Sequence, residues 1–386
     1  MLMRSVIISL ILCFILQSGA FGKDLAAIEL LAGFDGANPQ SQDDIKMESA
    51  RRFRVRPFNE PGSNDDYWFW LSTLVLNHGS GTEDVELIVE WPALERRPDH
   101  PYDYYFYGDM GDWHAVRATI KGTEARLVVP VRPGQTFVGF YPRYSYGYYL
   151  QFIESLPMKS PLLEKVVEGK SALGREIWCC RLTNPETPAS GKKKILLTAR
   201  NHPYETSGSF VVEEIIRFLL SGEEQASRVL EKCVVYVLPM MNPDGVALGM
   251  NQRTGPDGVN MSFAADTRAP EILTLQNLVR KVRPDIWVDV HSWPHEGDDG
   301  MWCTHKWVAD GLLAELPDSS FQDYIWKVSF VRESGTADNH LWQWLIRSFD
   351  SGGVSLSFSW HRRTEQDIRT IGRRLIVALG EMMTKR

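Results

Sequence analysis

A chain of 386 residues, 44% hydrophobic and 24% charged, is too long for one ordinary core and apolar enough to fill two. Its formal net charge of -7 argues against a nucleic-acid partner, because no basic field is available to hold phosphates.

Residues 1–22 read as an export signal. Arg4 supplies a positive start, "SVIISLILCFIL" a short apolar stretch, and Ser18, Ala20 and Gly22 small residues for cleavage. The apolar stretch falls well under the ~20 residues needed to span a bilayer. The expectation is an exported protein, periplasmic or extracellular, with no stable membrane insertion after cleavage; a retained anchor is the competing reading.

Residues 23–155 are expected to form an N-terminal β-sandwich domain. Between Phe53 and Tyr149, "YWFWLSTLVL", "VELIVEW", "ARLVVPV" and "TFVGFYPRY" read as strands separated by turn signals. The aromatic run "YDYYFYGDMGDW" suits sheet packing; stacking on sugars, which would make the protein a carbohydrate binder, is the rival explanation.

From residue 156 to 386 the pattern changes. "KKILLTA", "CVVYVLPM", "DIWVDV" and "GGVSLSFSW" read as strands. "SGSFVVEEIIRFLL", "APEILTLQNLVRKV", "NHLWQWLIRSF" and "EQDIRTIGRRLIVALGEMM" read as helices. Such alternation predicts an α/β domain, a mixed, largely parallel sheet flanked by helices. Cys179, Cys180, Cys233 and Cys303 suit either disulfides, which export permits, or small hydrophobes within strands.

Ligands bind beyond the carboxyl ends of the strands in sheets of this kind. Three successive strand ends lead into "RNHPYE", "MNPDGV" and "HSW". They deliver His202 and Glu205, then Asn242 and Asp244, then His291. Two histidines and a carboxylate are a zinc set that leaves a fourth position open. Alone, His-x-x-Glu is more often a loop pair; its place at a strand end, with His291 two strands on, favours ligands.

Residues 162–386 resemble the zinc metallocarboxypeptidases of the carboxypeptidase A type. "HPYE" is similar to that family's His-x-x-Glu ligand pair, "VDVHS" to the strand bearing its third ligand, and "NPDGVALGMNQR" to the segment that ends in its oxyanion arginine. The "HPYE" and "NPDG" forms, with an N-terminal sandwich ending in "YPRYSYGYYLQF", resemble the cytosolic carboxypeptidase subfamily. The resemblance implies a carboxypeptidase-like fold and zinc held by His202, Glu205 and His291. It also implies Arg253 at the oxyanion, Asn260 as a hydrogen-bond acceptor behind a histidine, and a peptide or peptide-like substrate cut at its C-terminal bond.

The sequence departs from the family at the chemistry. Ser262 and Phe263 stand where the family grips a terminal carboxylate with asparagine and arginine, Val331 near its capping tyrosine, and Ser357 at its general-base glutamate. Arg268 is a nearby cation. Glu296 and Glu333 are the candidate substitute bases, ranked above Glu365 because they adjoin site segments. The "HSWPHEGDDGMW" stretch, with His295, Asp298 and Asp299, reads as a solvated rim. The alternative function is a catalytically impaired zinc protein that binds peptides or cell-wall fragments.

Overall fold

The computed structural model describes residues 27–38, 44–60, 70–92, 102–292, 299–316, 326–330, 338–349 and 351–386. Residues 1–22, His295, Glu296, Asp298, Val331 and Glu333 lie outside that set.

Among the described residues ten strands come first: β1 (Ile28–Leu31), β2 (Ile45–Ser49), β3 (Arg52–Val55), β4 (Ser72–Asn77), β5 (Glu83–Glu90), β6 (Tyr104–Asp109), β7 (Asp112–Arg117), β8 (Thr119–Lys121), β9 (Glu124–Val131) and β10 (Gly134–Gly139). They pair into two five-stranded sheets, ordered β1-β4-β10-β6-β7 and β2-β3-β5-β9-β8. Alternation decides which side chains face inward. Along β9, Ala125, Leu127, Val129 and Val131 are buried while Val128 is exposed. The aromatic run supplies packing: Tyr102, Tyr105 and Phe106 are buried, and Trp91 Nε1 donates to Tyr105 Oη at 2.7 Å.

One expectation is corrected here. The strand-like reading extended to Tyr149, but Tyr146–Ser155 form a helix, α1, capped by Ser145 Oγ accepting from the Tyr148 N–H. Aromatic β propensity loses to this cap and to burial of Tyr149, Phe152 and Ile153 on one helical face.

The remaining strands and α-helices of the described residues are β11 (Leu163–Lys170), β12 (Glu176–Leu182), β13 (Lys193–Ala199), α2 (Ser207–Leu219), α3 (Glu224–Lys232), β14 (Cys233–Leu238), α4 (Pro243–Ala247), α5 (Pro270–Val282), β15 (Ile286–His291), β16 (Asp299–Cys303), α6 (Lys306–Glu315), β17 (Trp326–Phe330), α7 (Leu341–Ser348), β18 (Gly352–Ser357) and α8 (Glu365–Thr384). One eight-stranded sheet runs β11-β12-β14-β13-β15-β18-β16-β17. Its centre, β14-β13-β15-β18, is parallel, and β11, β12 and the β16–β18 pairing are antiparallel. The architecture is mixed α/β with helices on both faces.

Period-two alternation sends side chains of one strand into two cores. From β13, Ile195 and Leu197 join α2, α3, α6 and α8, while Leu196 joins α5 and α7 on the opposite face. Helices α2 and α8 approach closely at Gly372, where a Cβ would stand 2.5 Å from the Val211 carbonyl oxygen.

The rim reading of Asp299 is also corrected. Asp299 opens β16, fully buried, and its carboxylate accepts both Arg363 Nη1 and Nη2 at 2.7 Å. The neighbouring acidic run made it look solvated; the cation that buries it lies 64 residues on. Asp299→Ala would leave the guanidinium buried without this partner, so denaturant unfolding should show a loss of about 3–5 kcal/mol.

Candidate metal centre

Strand β13 ends at Ala199, and α2 begins at Ser207. The intervening turn must bring two polar side chains to one point while its own backbone is buried. Arg200 makes this possible. It adopts φ 59, rare for a residue with a Cβ, and its buried guanidinium donates to the carbonyls of Tyr144 and Pro203 and to Ser209 Oγ. Helix α2 then starts hard against β15: a Cβ on Gly208 would stand 2.7 Å from the Val290 carbonyl oxygen. The Ser207 hydroxyl contacts Ser292 Oγ and lies 3.3 Å from the His291 carbonyl and 3.1 Å from that of Phe358. Three strand ends are thereby tied together.

The result is a compact trio. One ligand atom each from His202, Glu205 and His291 lies within 4.8 Å of the others. His202 Nδ1 is 3.1 Å from Glu205 Oε1, and His291 Nδ1 is 2.6 Å from Glu205 Oε2. Both imidazoles therefore turn the same nitrogen inward. Their outer nitrogens are held from behind: His202 Nε2 lies 3.3 Å from Asn260 Oδ1 and 3.2 Å from Ser262 Oγ, and His291 Nε2 lies 2.8 Å from Asp289 Oδ2. Asp289 is itself fixed, accepting from Thr198 Oγ1 at 2.7 Å and Asn201 Nδ2 at 3.2 Å. Two nitrogens and one oxygen, each imidazole braced by an acceptor, are a donor set that fits zinc.

The charges agree with this geometry. Burial alone would push Glu205 up, but the positive charges of His291 and His202 outweigh it and hold the carboxylate down at about 2. Burial would likewise lower His291, yet Glu205 and Asp289 outweigh it and keep the ring protonated well above its usual value. This raised pKa stabilises the metal-free fold below the unfolded value of about 6.5, and the contribution is lost as pH rises through the folded pKa. A metal must displace that proton. Zinc binding at pH 7 should release protons, seen as binding enthalpies that differ between buffers of different ionisation heat.

The expected site residues fall as follows. His202, Glu205 and His291 come together, and Asn260 stands behind His202. Arg253 pairs with Asn260 as an antiparallel bridge, and its Nη1 donates to the Gly258 carbonyl at 3.2 Å. Ser357 sits beside His291 in register on the adjacent parallel strand. Phe263 is 48% exposed, its ring edge-on to His340 at 4.9 Å. Glu365 is the first residue of α8, behind the Thr364 cap, and accepts from Arg369 Nε at 2.8 Å. Among the described residues, the carboxylates hydrogen-bonded to the two histidines are Glu205 and Asp289.

Sequence reasoning missed two residues beside the trio, Asp289 and His340. Asp289 had a signal in Asp-x-His, which puts both side chains on one face of β15. His340 had none. It caps α7, its Nδ1 accepting from the Trp342 N–H at 3.2 Å. Burial, then the charges of His291 and His202, lowers it to about 4, so it is a neutral imidazole near the trio.

A zinc carboxypeptidase family model matches residues 149–289, a span that takes in His202, Glu205, Arg253, Asn260 and Asp289 and stops two residues before His291. The chain is 37% identical over 267 residues to cytosolic carboxypeptidase 2 of Macaca fascicularis, covering 61% of this chain but 31% of that protein. It therefore spans about a third of the length of that relative. Its fold matches a metallo-carboxypeptidase from Burkholderia cenocepacia with a TM-score of 0.77 at 18% identity, covering 93% of this chain and 99% of the other. A metallo-carboxypeptidase from Pseudomonas aeruginosa, solved with (2-guanidinoethylmercapto)succinic acid, matches with a TM-score of 0.75 at 15% identity, over 92% and 99% of the two chains. Residues 149–289 thus match the zinc carboxypeptidase family, and the chain shares the carboxypeptidase A-like fold.

Proposed function

We propose that this chain is a zinc-dependent metallocarboxypeptidase that hydrolyses the C-terminal peptide bond, or a related amide bond, of a peptide or peptide-like substrate. The observation that carries the reading is the trio His202, Glu205 and His291, with ligand atoms within 4.8 Å of one another at the ends of parallel strands. Zinc bound there supplies Lewis-acid polarisation of a carbonyl and activation of water. The chain's own residues do the rest. Asp289 and Asn260 fix the imidazole orientations. The Arg253 guanidinium is the cation offered to the oxygen that gains charge as the carbonyl is attacked.

Purified protein should hold about one zinc per chain and release C-terminal residues from peptides, read by amino-acid analysis. Protein that excludes zinc sinks this reading.

Ser357 favours a second reading, a zinc-loaded protein of impaired catalysis that binds peptides or cell-wall fragments. This serine stands in register beside His291, and its hydroxyl cannot store a proton at neutral pH. Zinc with peptide binding but no release would select it. On either reading we place the protein outside the cytoplasm, on the strength of residues 1–22.

A further inference from the structure

The segment between β3 and β4 delivers a carboxylate to this site. Glu60 is 1% exposed. Its Oε1 accepts the backbone N–H groups of Asn251 at 3.2 Å, Gln252 at 3.2 Å and Arg253 at 3.0 Å, and its Oε2 lies 3.3 Å from the Gln252 nitrogen. Successive N–H groups converging on one point form a concave nest for an anion. Here the anion is a side chain from 191 residues earlier in the chain. A carboxylate is unfavourable in a buried position unless it is hydrogen-bonded in this way.

What the nest holds is the part of the chain that serves the site. Arg253 belongs to it, with its Nε 4.0 Å from Glu60 Oε2. The Gln252 side chain accepts from Asn260 Nδ2 at 2.8 Å, and Asn260 Oδ1 faces His202 Nε2. The Asn251 carbonyl accepts the Tyr204 N–H at 3.3 Å, inside the "HPYE" turn. One carboxylate thus fixes a backbone that carries the arginine and braces the turn bearing two of the three candidate ligands.

We propose that Glu60 is a positioning residue for the hydrolytic site: it holds residues 251–253 and, through them, sets the place of the Arg253 guanidinium and of Asn260 behind His202. This rests on the roles given above to Arg253 and the trio. The connection from β3 to β4 then helps to complete the site.

The zinc-loaded full chain tests this with two substitutions. Glu60→Ala removes every acceptor; Glu60→Gln keeps one oxygen for the three N–H groups and loses the charge. In Glu60→Ala, amide exchange at 251–253 should quicken by at least about tenfold, with β13 and β15 unchanged. In Glu60→Gln it should stay within about threefold of wild type. Turnover in Glu60→Ala should fall roughly 10²-fold with KM within about threefold, the mark of a misplaced group. Adding Arg253→Ala to Glu60→Ala should cost no more than Arg253→Ala alone.

Unchanged exchange in Glu60→Ala overturns the proposal. So does faster exchange with turnover intact, or losses that multiply in the double variant, which would leave Glu60 a structural brace. A zinc-loaded wild type without turnover refutes the peptidase reading but not this one. Zinc affinity then decides: a fall of roughly 10–100-fold in Glu60→Ala, transmitted through Asn260 to His202, supports it, and an unchanged affinity overturns it.

Discussion

Ser357→Glu is expected to raise peptide turnover by a factor of roughly 10²–10⁴, the worth of a positioned acid–base group. The position is suited to it. Ser357 is in register with His291 on neighbouring parallel strands, so both side chains project from the same face of the sheet. Its side chain is half-buried at the end of β18. The measurement is kcat for release of a C-terminal residue, with zinc content checked to match wild type. A substantial rise identifies the wild-type protein as impaired at proton transfer. An unchanged kcat would mean that another group already holds that proton.

The second large effect concerns metal retention, and it should be graded. Asp289→Asn leaves all three inward donors and weakens the bond behind His291, so zinc affinity should drop roughly 10–100-fold. Glu205→Ala removes one of the inward donors and the negative charge between two imidazoles, so its loss should exceed that of Asp289→Asn. His202→Ala should behave like Glu205→Ala. Competition against a chromogenic chelator gives all three values. If Glu205→Ala retained zinc as tightly as Asp289→Asn, the trio would not be the metal centre.

That His202, Glu205 and His291 would meet was legible in the sequence because they follow apolar runs that read as buried strands. "KKILLTA" and "DIWVDV" place His202 and His291 at sheet ends, and the parallel pairing of β13 with β15 converts that into proximity. Residues whose meaning depends on a remote partner were not legible. Asp299 looks like one more acid in an acidic run until Arg363 is folded against it. Glu60 has no local signal at all, because its partners are backbone amides 191 to 193 residues further along the chain. The Tyr-rich start of α1 was misread for a different reason: its residues favour strands, and only the Ser145 cap and the apolar surface beneath decide for helix.

The four cysteines outside the N-terminal segment are buried free thiols. Cys179 and Cys180 are adjacent on β12, so they point to opposite faces: Cys179 enters the core beneath α5, and Cys180 enters the other one with Cys233 and Cys303. Burial holds Cys180 and Cys303 up at about 12 and Cys233 at about 11, so none carries the thiolate that reacts. Each thiol is consequently a clock for the opening of its own region. A membrane-impermeant alkylating reagent added to the native protein can modify Cys179 only when one side of the sheet parts, and Cys180 only when the other does. Comparing the two labelling rates would tell whether the helices on either face detach together or one after the other.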